Sequence, residues 1–283
     1  MYVYVVLWWI SSSIYSSYNR ILLKNTKDVC LPLELSLYEC LVMCVVEYIL
    51  SKRAKIRLHP ACGILTFFNT TLGNTIAVYS TVHFSQMLKF AEPILILIIT
   101  SVMFKQSIEK EKLLYAFVIL LGSFIYSLDT EFNVYSVMAV FSSSLRSILL
   151  KKRMATEEIS NVLFDAFLTS SILCLVSLVA HECTLVWHMH FTTVVFSFLM
   201  YNMISNRILK LIDTSLHSIG KIGKRVMTIL LSLVLVKEHL SVQQGIGITI
   251  MTVGMFLFVH MKRVKPPGLP TSKLTDFYSI NKS

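Results

Sequence analysis

Apolar residues recur along this chain in runs of about 20, each closed by a short polar or basic segment. Ten runs can be drawn, over 3–20, 34–51, 61–80, 83–104, 112–128, 133–150, 160–180, 191–209, 214–236 and 240–261. At 1.5 Å per residue, about 20 helical residues cross the roughly 30 Å of bilayer hydrocarbon. The pattern predicts an all-α membrane protein with ten transmembrane helices.

The basic residues sort by side. With an even number of spans both termini share one face. That face receives Lys52, Arg53, Lys55 and Arg57, then Lys105, Lys110 and Lys112, then Lys151, Lys152 and Arg153, then Arg207 and Lys210. The tail adds Lys262, Arg263, Lys265, Lys273 and Lys282. The opposite face receives only Arg20, Lys24, Lys27 and Lys237. Seventeen against four predicts cytosolic termini, because loops rich in Lys and Arg stay in the cytosol. The first span starts almost at Met1 with no Arg- and Ser-rich segment before it. It is expected to remain as an anchor, and an endomembrane location such as the ER or Golgi is expected over a plastid or mitochondrion.

Composition agrees. The 283 residues are 55% hydrophobic, with a mean hydropathy of +0.68. Charged residues are 15%, against about 25% in soluble domains. The net charge of +10 lies mostly in loops that orient the chain, so nucleic acid is not an expected partner. The lipid bilayer is. The six cysteines, 30, 40, 44, 62, 174 and 183, show no Cys-x-x-Cys spacing. Cys40 and Cys44 fall one helical turn apart and read as apolar packing.

Segment 82–126 resembles segment 214–258 at a constant offset of 132. Lys89 pairs with Lys221, Ile94 with Val226, Lys105 with Lys237 and Gly122 with Gly254. Each copy holds two spans, and an odd number of spans separates them. The copies therefore run in opposite directions, as in carriers whose substrate site lies between two halves. The halves are expected over 1–130 and 131–265, with a cytosolic tail over 266–283.

Five basic residues remain inside the spans: Lys89, Arg146, Lys221, Lys224 and Arg225. Lys224 and Arg225 are adjacent, about 15 Å from the start of span 9 at 1.5 Å per residue. Span 9 holds no Asp or Glu. A cation at mid-bilayer costs roughly 2.5–3.5 kcal/mol on insertion scales. Either a visiting anion or an ion pair with an acid elsewhere, such as Glu92, must offset this. At 100° per residue Lys221, Lys224 and Arg225 share one face. Gly220 and Gly223 lie among them and admit a ligand or a neighbouring helix. Arg supplies a planar fork suited to phosphate, and Lys a mobile point charge.

Lys89 and Glu92, three apart, can pair with each other. Pro93 is expected to kink span 4 at a moving part. Tyr201, beside Asn202, can donate to a phosphate oxygen or to a backbone carbonyl. Arg146 is expected to snorkel to the cytosolic interface. His181, Cys183, His188 and His190 cluster after span 7 but read as ordinary loop residues, and no metal site or cofactor is expected. The Asn69 sequon falls within span 3 and the Asn281 sequon on the cytosolic side. Neither is expected to be glycosylated. Gly220-Lys-Ile-Gly-Lys-Arg lacks the spacing and hydroxyl of a phosphate-binding loop. His-Glu-x-x-His and Gly-x-Ser-x-Gly are absent, so neither an ATP-driven pump nor an enzyme is expected.

These residues resemble the triose-phosphate/sugar-phosphate translocator family of the drug/metabolite transporter superfamily, which also contains nucleotide-sugar carriers. His217-Ser-Ile-Gly-Lys-Ile-Gly-Lys-Arg-Val226 is similar to the family's Thr-His-Ser-Val-Gly-Asn-x-x-Lys-Arg-Val segment. Tyr18-Asn19-Arg20, Lys89-x-x-Glu92-Pro93, Arg146-Ser-x-x-x-Lys-Lys152 and Tyr201-Asn202 match in family order. The resemblance implies ten helices in two inverted five-helix halves and strict exchange of a phosphorylated compound for inorganic phosphate. It implies a phosphate held by Lys89, Lys224, Arg225 and Tyr201. Where plastid members place a His and a Thr, this chain has Thr70 and Gly73. Thr70 can still donate a hydrogen bond. The leading expectation is an antiporter of a sugar phosphate or similar metabolite, working as a monomer or a homodimer. A nucleotide-sugar transporter is the second reading, and a non-transporting membrane protein of the same fold the third.

Overall fold

A computed structural model of the chain describes residues 2–23, 30–51, 59–79, 89–104, 110–127, 134–183, 191–211, 214–235 and 241–261. Ten α-helices cover them: α1 (Tyr2–Leu23), α2 (Cys30–Leu50), α3 (Pro60–Tyr79), α4 (Glu92–Phe104), α5 (Lys110–Ser127), α6 (Val134–Met154), α7 (Ile159–Ala180), α8 (Phe191–Leu211), α9 (Thr214–Leu235) and α10 (Val242–Met261). One 3-10 turn, Lys89–Ala91, leads into α4. Each helix falls on one expected span.

Two helices run four residues past their expected spans. Helix α2 starts at Cys30, four residues before its span, because Pro32 is tolerated in a first turn whose N–H groups have no intrahelical partner. Helix α6 runs to Met154, because Lys151, Lys152 and Arg153 suit the negative end of a helix. Lys151 Nζ also donates to the carbonyls of Leu209 and Lys210 at the end of α8, each at 2.8 Å.

Many polar side chains are buried, and large apolar ones are exposed on the outer surface. Ser12, Ser13, Ser17, Glu39, Glu47, Asn74 and Arg225 are buried, whereas Leu113, Leu114, Phe117, Leu121 and Phe124 form an exposed stripe on α5. That arrangement suits lipid, where inward polar groups must find partners within the protein. Many hydroxyls do so on their own helix: Ser36 on the Pro32 carbonyl, Thr66 on Cys62 and Ser144 on Val140. Such back-bonding satisfies an O–H without a neighbour. Among the described residues, α3 and α7 alone are long and apolar enough by composition to cross a membrane.

Helix α1 packs on α8 and α9, α2 on α7, and α3 on α6 and α7. Helices α5 and α10 form a close pair through Gly122, Gly247 and Gly254. A Cβ on Gly122 would stand 2.9 Å from the Met251 backbone nitrogen, and one on Gly247 2.8 Å from the Gly122 carbonyl. The offset partners Gly122 and Gly254 thus both lie in this contact. Ile94 and Val226, also offset partners, meet in one apolar cluster with Ile119, Tyr126 and Met251.

Helix ends alternate between two faces. Ser51, after α2, donates to Asn161, near the start of α7, at 2.5 Å. At the other face Cys30 and Cys183 are joined in a disulfide. The apolar contact of Leu33, Leu37, Cys174 and Leu178 lies between these two ties. No spacing in the sequence pointed to that disulfide, since its cysteines are 153 positions apart. It removes Cys183 from any metal site, and His188, His190, the tail 266–283 and Asn281 lie outside the described residues. Among the described residues no cluster of His, Cys, Asp and Glu could hold a metal.

Candidate functional site

Helix α9 carries the basic face. Lys221, Lys224 and Arg225 project from it into a cavity also lined by α1, α3, α6, α8 and the turn before α4. Lys89, Thr70, Tyr201, Lys224 and Arg225, expected to bind substrate, all line this one cavity, as do Glu92 and Lys221.

Glu92 is its one lining carboxylate among the described residues. Its two oxygens take different cations. Lys221 Nζ reaches Oε1 at 2.6 Å, and Arg225 Nη2 reaches Oε2 at 2.5 Å. The Ser143 hydroxyl donates to Oε1 at 2.9 Å, and Lys221 also reaches Ser147 Oγ at 3.2 Å. Glu92 therefore pairs across the bundle to α9. This ion pair is the alternative to a bare pair of cations that the sequence left open for Arg225. Such a buried pair gains Coulomb energy and hydrogen bonds but loses hydration.

Lys224 is treated differently from its neighbour. Its ammonium sits 4.9 Å from the centre of the Tyr201 ring, a cation–π contact. Among the described residues neither Lys224 nor Lys89 has a carboxylate within ion-pair distance. With Arg20 and Arg146, six cations line this cavity with one carboxylate among the described residues.

Arg146 corrects an expectation. It does not snorkel outward. Its Nε donates to Thr66 Oγ1 at 3.0 Å, and its guanidinium lies 5.9 Å from the centre of the Phe167 ring. The bundle offers it an acceptor and a ring, which outweighs reaching for the interface. Thr70 also differs from expectation: its hydroxyl proton goes to the Thr66 carbonyl at 2.9 Å. It faces the cavity as an acceptor. Beside it Gly73 opens onto space, with nothing within 4 Å of where a Cβ would stand.

The glycines of α9 serve a neighbouring helix. A Cβ on Gly220 would stand 3.1 Å from Trp8, and one on Gly223 would overlap Trp9 at 2.2 Å. The Trp9 indole donates to the Gly220 carbonyl at 2.9 Å. Trp8 stacks on His217 with centroids 5.1 Å apart, and His217 meets Ser205 at 3.1 Å. Pro93 falls in the first turn of α4, just after the 3-10 turn, where its missing N–H breaks no helical bond. It stands at a change of helix type. Asn69 lines the cavity within α3.

Sequence reasoning passed over Tyr15 and Ser143 and gave Asn19 and Ser147 only as motif positions; all four line the same cavity. The serine-rich stretches of α1 and α6 were the available signal, since hydroxyls crowded into an apolar span must face inward.

The family model of the Triose-phosphate Transporter family matches residues 1–259. A solved crystal structure superposes with a TM-score of 0.62 at 12% identity, over 93% of this chain and 98% of the other. That likeness concerns the fold. A search of curated protein sequences gives no match.

Proposed function

Because the chain belongs to the triose-phosphate transporter family, a family of multi-pass membrane carriers, we propose that it is a secondary-active antiporter. It exchanges a phosphorylated metabolite, such as a sugar phosphate or triose phosphate, for inorganic phosphate. The observation that carries this reading is the charge of the cavity, where Arg20, Lys89, Arg146, Lys221, Lys224 and Arg225 face Glu92 as the one carboxylate among the described residues.

Lys89 and Lys224 supply point charges to the arriving phosphate, and Arg225 a planar fork. The Tyr201 hydroxyl adds a donor. In the conformation described here the Glu92 carboxylate holds Lys221 and Arg225. A dianionic phosphate competes with it for Arg225 and leaves the loaded cavity nearer to neutral. The empty cavity keeps surplus positive charge. Its passage through a closed state is costly, because the cations lose water without gaining an anion. Movement in one direction thus requires a load for the return.

The carrier works with its termini in the cytosol and its two five-helix halves inverted about the cavity. The disulfide between Cys30 and Cys183 supports this orientation. Both cysteines lie on the face expected to be lumenal, and disulfides persist in oxidising compartments such as the ER lumen. This favours an endomembrane over the cytosol-like matrix of other organelles.

The open space at Gly73 favours an organic moiety larger than a triose, which keeps a nucleotide sugar as the second reading. Counterflow in proteoliposomes preloaded with inorganic phosphate tests both. Uptake of sugar phosphates in preference to nucleotide sugars is expected. Uptake of nucleotide sugars alone, driven by an internal nucleotide, replaces the first reading with the second.

A further inference from the structure

A second acid lies behind the cavity, on α2. Glu39 is fully buried, in the middle of a helix within the bundle. Its Oε2 accepts from Asn74 Nδ2 at 3.1 Å. Its Oε1 has no hydrogen-bond partner among the described residues, and no Lys or Arg there pairs with it. Glu92 has two cations and Glu39 has none. Glu39 has neutral partners and no counter-charge, and ionisable side chains inside a membrane protein are rare and mark substrate, ion or proton pathways.

The neighbours of Glu39 make a switchable set. Asn74 uses both amide hydrogens, on Ser36 at 2.9 Å and on Glu39. Its carbonyl therefore accepts, from Asn19 at 2.8 Å and from the Tyr15 hydroxyl at 3.0 Å. The Tyr15 hydroxyl also lies against the Glu39 carboxyl. A protonated Glu39 donates to the Tyr15 oxygen while Tyr15 donates to Asn74. An ionised Glu39 takes the Tyr15 proton as a hydrogen bond instead. Both protonation states find partners, and the Tyr15 hydroxyl turns between them. The titratable groups facing Glu39 are Tyr15 of α1, Tyr201 of α8 and the thiol of Cys40 on α2 itself. Helix α3 presents the neutral Asn74, and α7 presents Ser170 and Cys174 to Cys40.

Tyr15 joins this acid to the anion site. It lines the cavity, and its ring lies 5.1 Å from that of Tyr201. Tyr201 in turn carries the Lys224 ammonium on its face. An anion that draws Lys224 off Tyr201 alters the packing of Tyr15 and hence the hydroxyl on Glu39.

We propose that Glu39 is a proton-binding site, loaded from the cavity through Tyr15, and that its proton travels with the bound anion. In the loading step a hydronium ion entering the cavity from bulk solvent gives a proton to the Tyr15 oxygen and becomes water. The phenolic O–H breaks as an O–H bond forms on the Glu39 carboxylate. Tyr15 ends as it began, and one proton has moved from hydronium to Glu39. This rests on the antiport reading above.

The test uses the full chain in proteoliposomes, with labelled inorganic phosphate exchanging for inorganic phosphate at equal pH on both sides. Wild-type exchange is expected to fall as pH rises, by about tenfold per unit on the alkaline limb, as for one required proton. Glu39→Gln fixes the neutral form. Its exchange should follow only the titration of phosphate itself, and its activity at alkaline pH should exceed that of wild type. Infrared difference spectra on adding phosphate to purified protein give a second readout. A carboxylic C=O band should change in wild type and be absent in Glu39→Gln, and Tyr15→Phe should leave that band unresponsive. Superimposable pH profiles for wild type and Glu39→Gln, or identical infrared differences, overturn the proposal. If Glu39→Gln does not fold, the Tyr15→Phe spectrum decides alone. Wild type that exchanges no phosphate at any pH refutes the antiport reading itself, whereas exchange without a Glu39-dependent pH profile refutes only the proton site.

Discussion

The guanidinium of Arg225 and the carboxylate of Glu92 meet at 2.5 Å although 133 positions separate them in the chain. Lys224, one residue before, leans instead on the ring of Tyr201. Neighbouring cations of one helix thus have different holds on the cavity. One is locked to an internal acid, and the other is held by a face that an incoming anion can outbid.

Glu92→Gln should expose this difference. The substitution leaves Lys221 and Arg225 buried without their acid, a change that costs about 3–5 kcal/mol when a buried pair loses one partner. The melting temperature of the purified variant should fall below that of wild type. Added phosphate should recover more stability for the variant than for wild type, since the anion replaces the missing carboxylate. Equal phosphate-induced shifts in the two proteins contradict the competition between Glu92 and phosphate.

Arg225→Lys keeps the charge and loses the fork; Lys224→Ala removes one charge. Hydrogen bonds to charged groups are worth about 1.5–3 kcal/mol, so exchange should drop roughly tenfold to a hundredfold in each. Initial rates at matched reconstitution levels measure this. Wild-type rates in both variants would leave Lys224 and Arg225 as structural residues only.

Gly73→Thr fills the open side of the cavity. Phosphate-for-phosphate exchange should stay within about twofold of wild type, because a small anion needs no room there. Exchange with hexose phosphates should fall by about tenfold or more, because the added side chain takes room that the sugar would occupy, at a cost of about 1–3 kcal/mol. A uniform loss across substrates would place Gly73 in folding and not in selectivity.

Orientation rests on Cys30 and Cys183. Thiol counting on denatured, unreduced protein should find four of the six cysteines free, matching Cys40, Cys44, Cys62 and Cys174. A tag after Ser283 should be cleaved by protease added outside sealed microsomes. Six free thiols, or a protected tag, would reverse the assignment of the lumenal face. Cys30→Ser should lower stability by about 2–5 kcal/mol.

Much of this was legible in the chain because a bilayer constrains it so strongly. The ten helices follow from apolar runs, and Lys89, Tyr201, Lys224 and Arg225 stood out because polar groups in such runs are costly. Their convergence on one cavity could not be read from spacing. The partner of Arg225 was only one of several candidates, since α9 carries no acid and any of the buried acids could have faced it. Arg146 was misplaced because its depth along α6 looks interfacial, while Thr66 and Phe167 that hold it come from other helices. The donor assigned to Thr70 was lost to its own helix. Cys30 and Cys183 meet only because α2 packs along α7.

The central claim is obligatory exchange, and uptake into preloaded against empty liposomes tests it most directly. Purified protein is reconstituted, and labelled inorganic phosphate is added outside. Vesicles holding unlabelled phosphate should take up label rapidly, and empty vesicles should remain near the protein-free background. The unloaded cavity, with six cations facing Glu92, cannot close cheaply without an anion. Equal uptake into empty and preloaded vesicles would contradict the account and make the protein a uniporter or a channel.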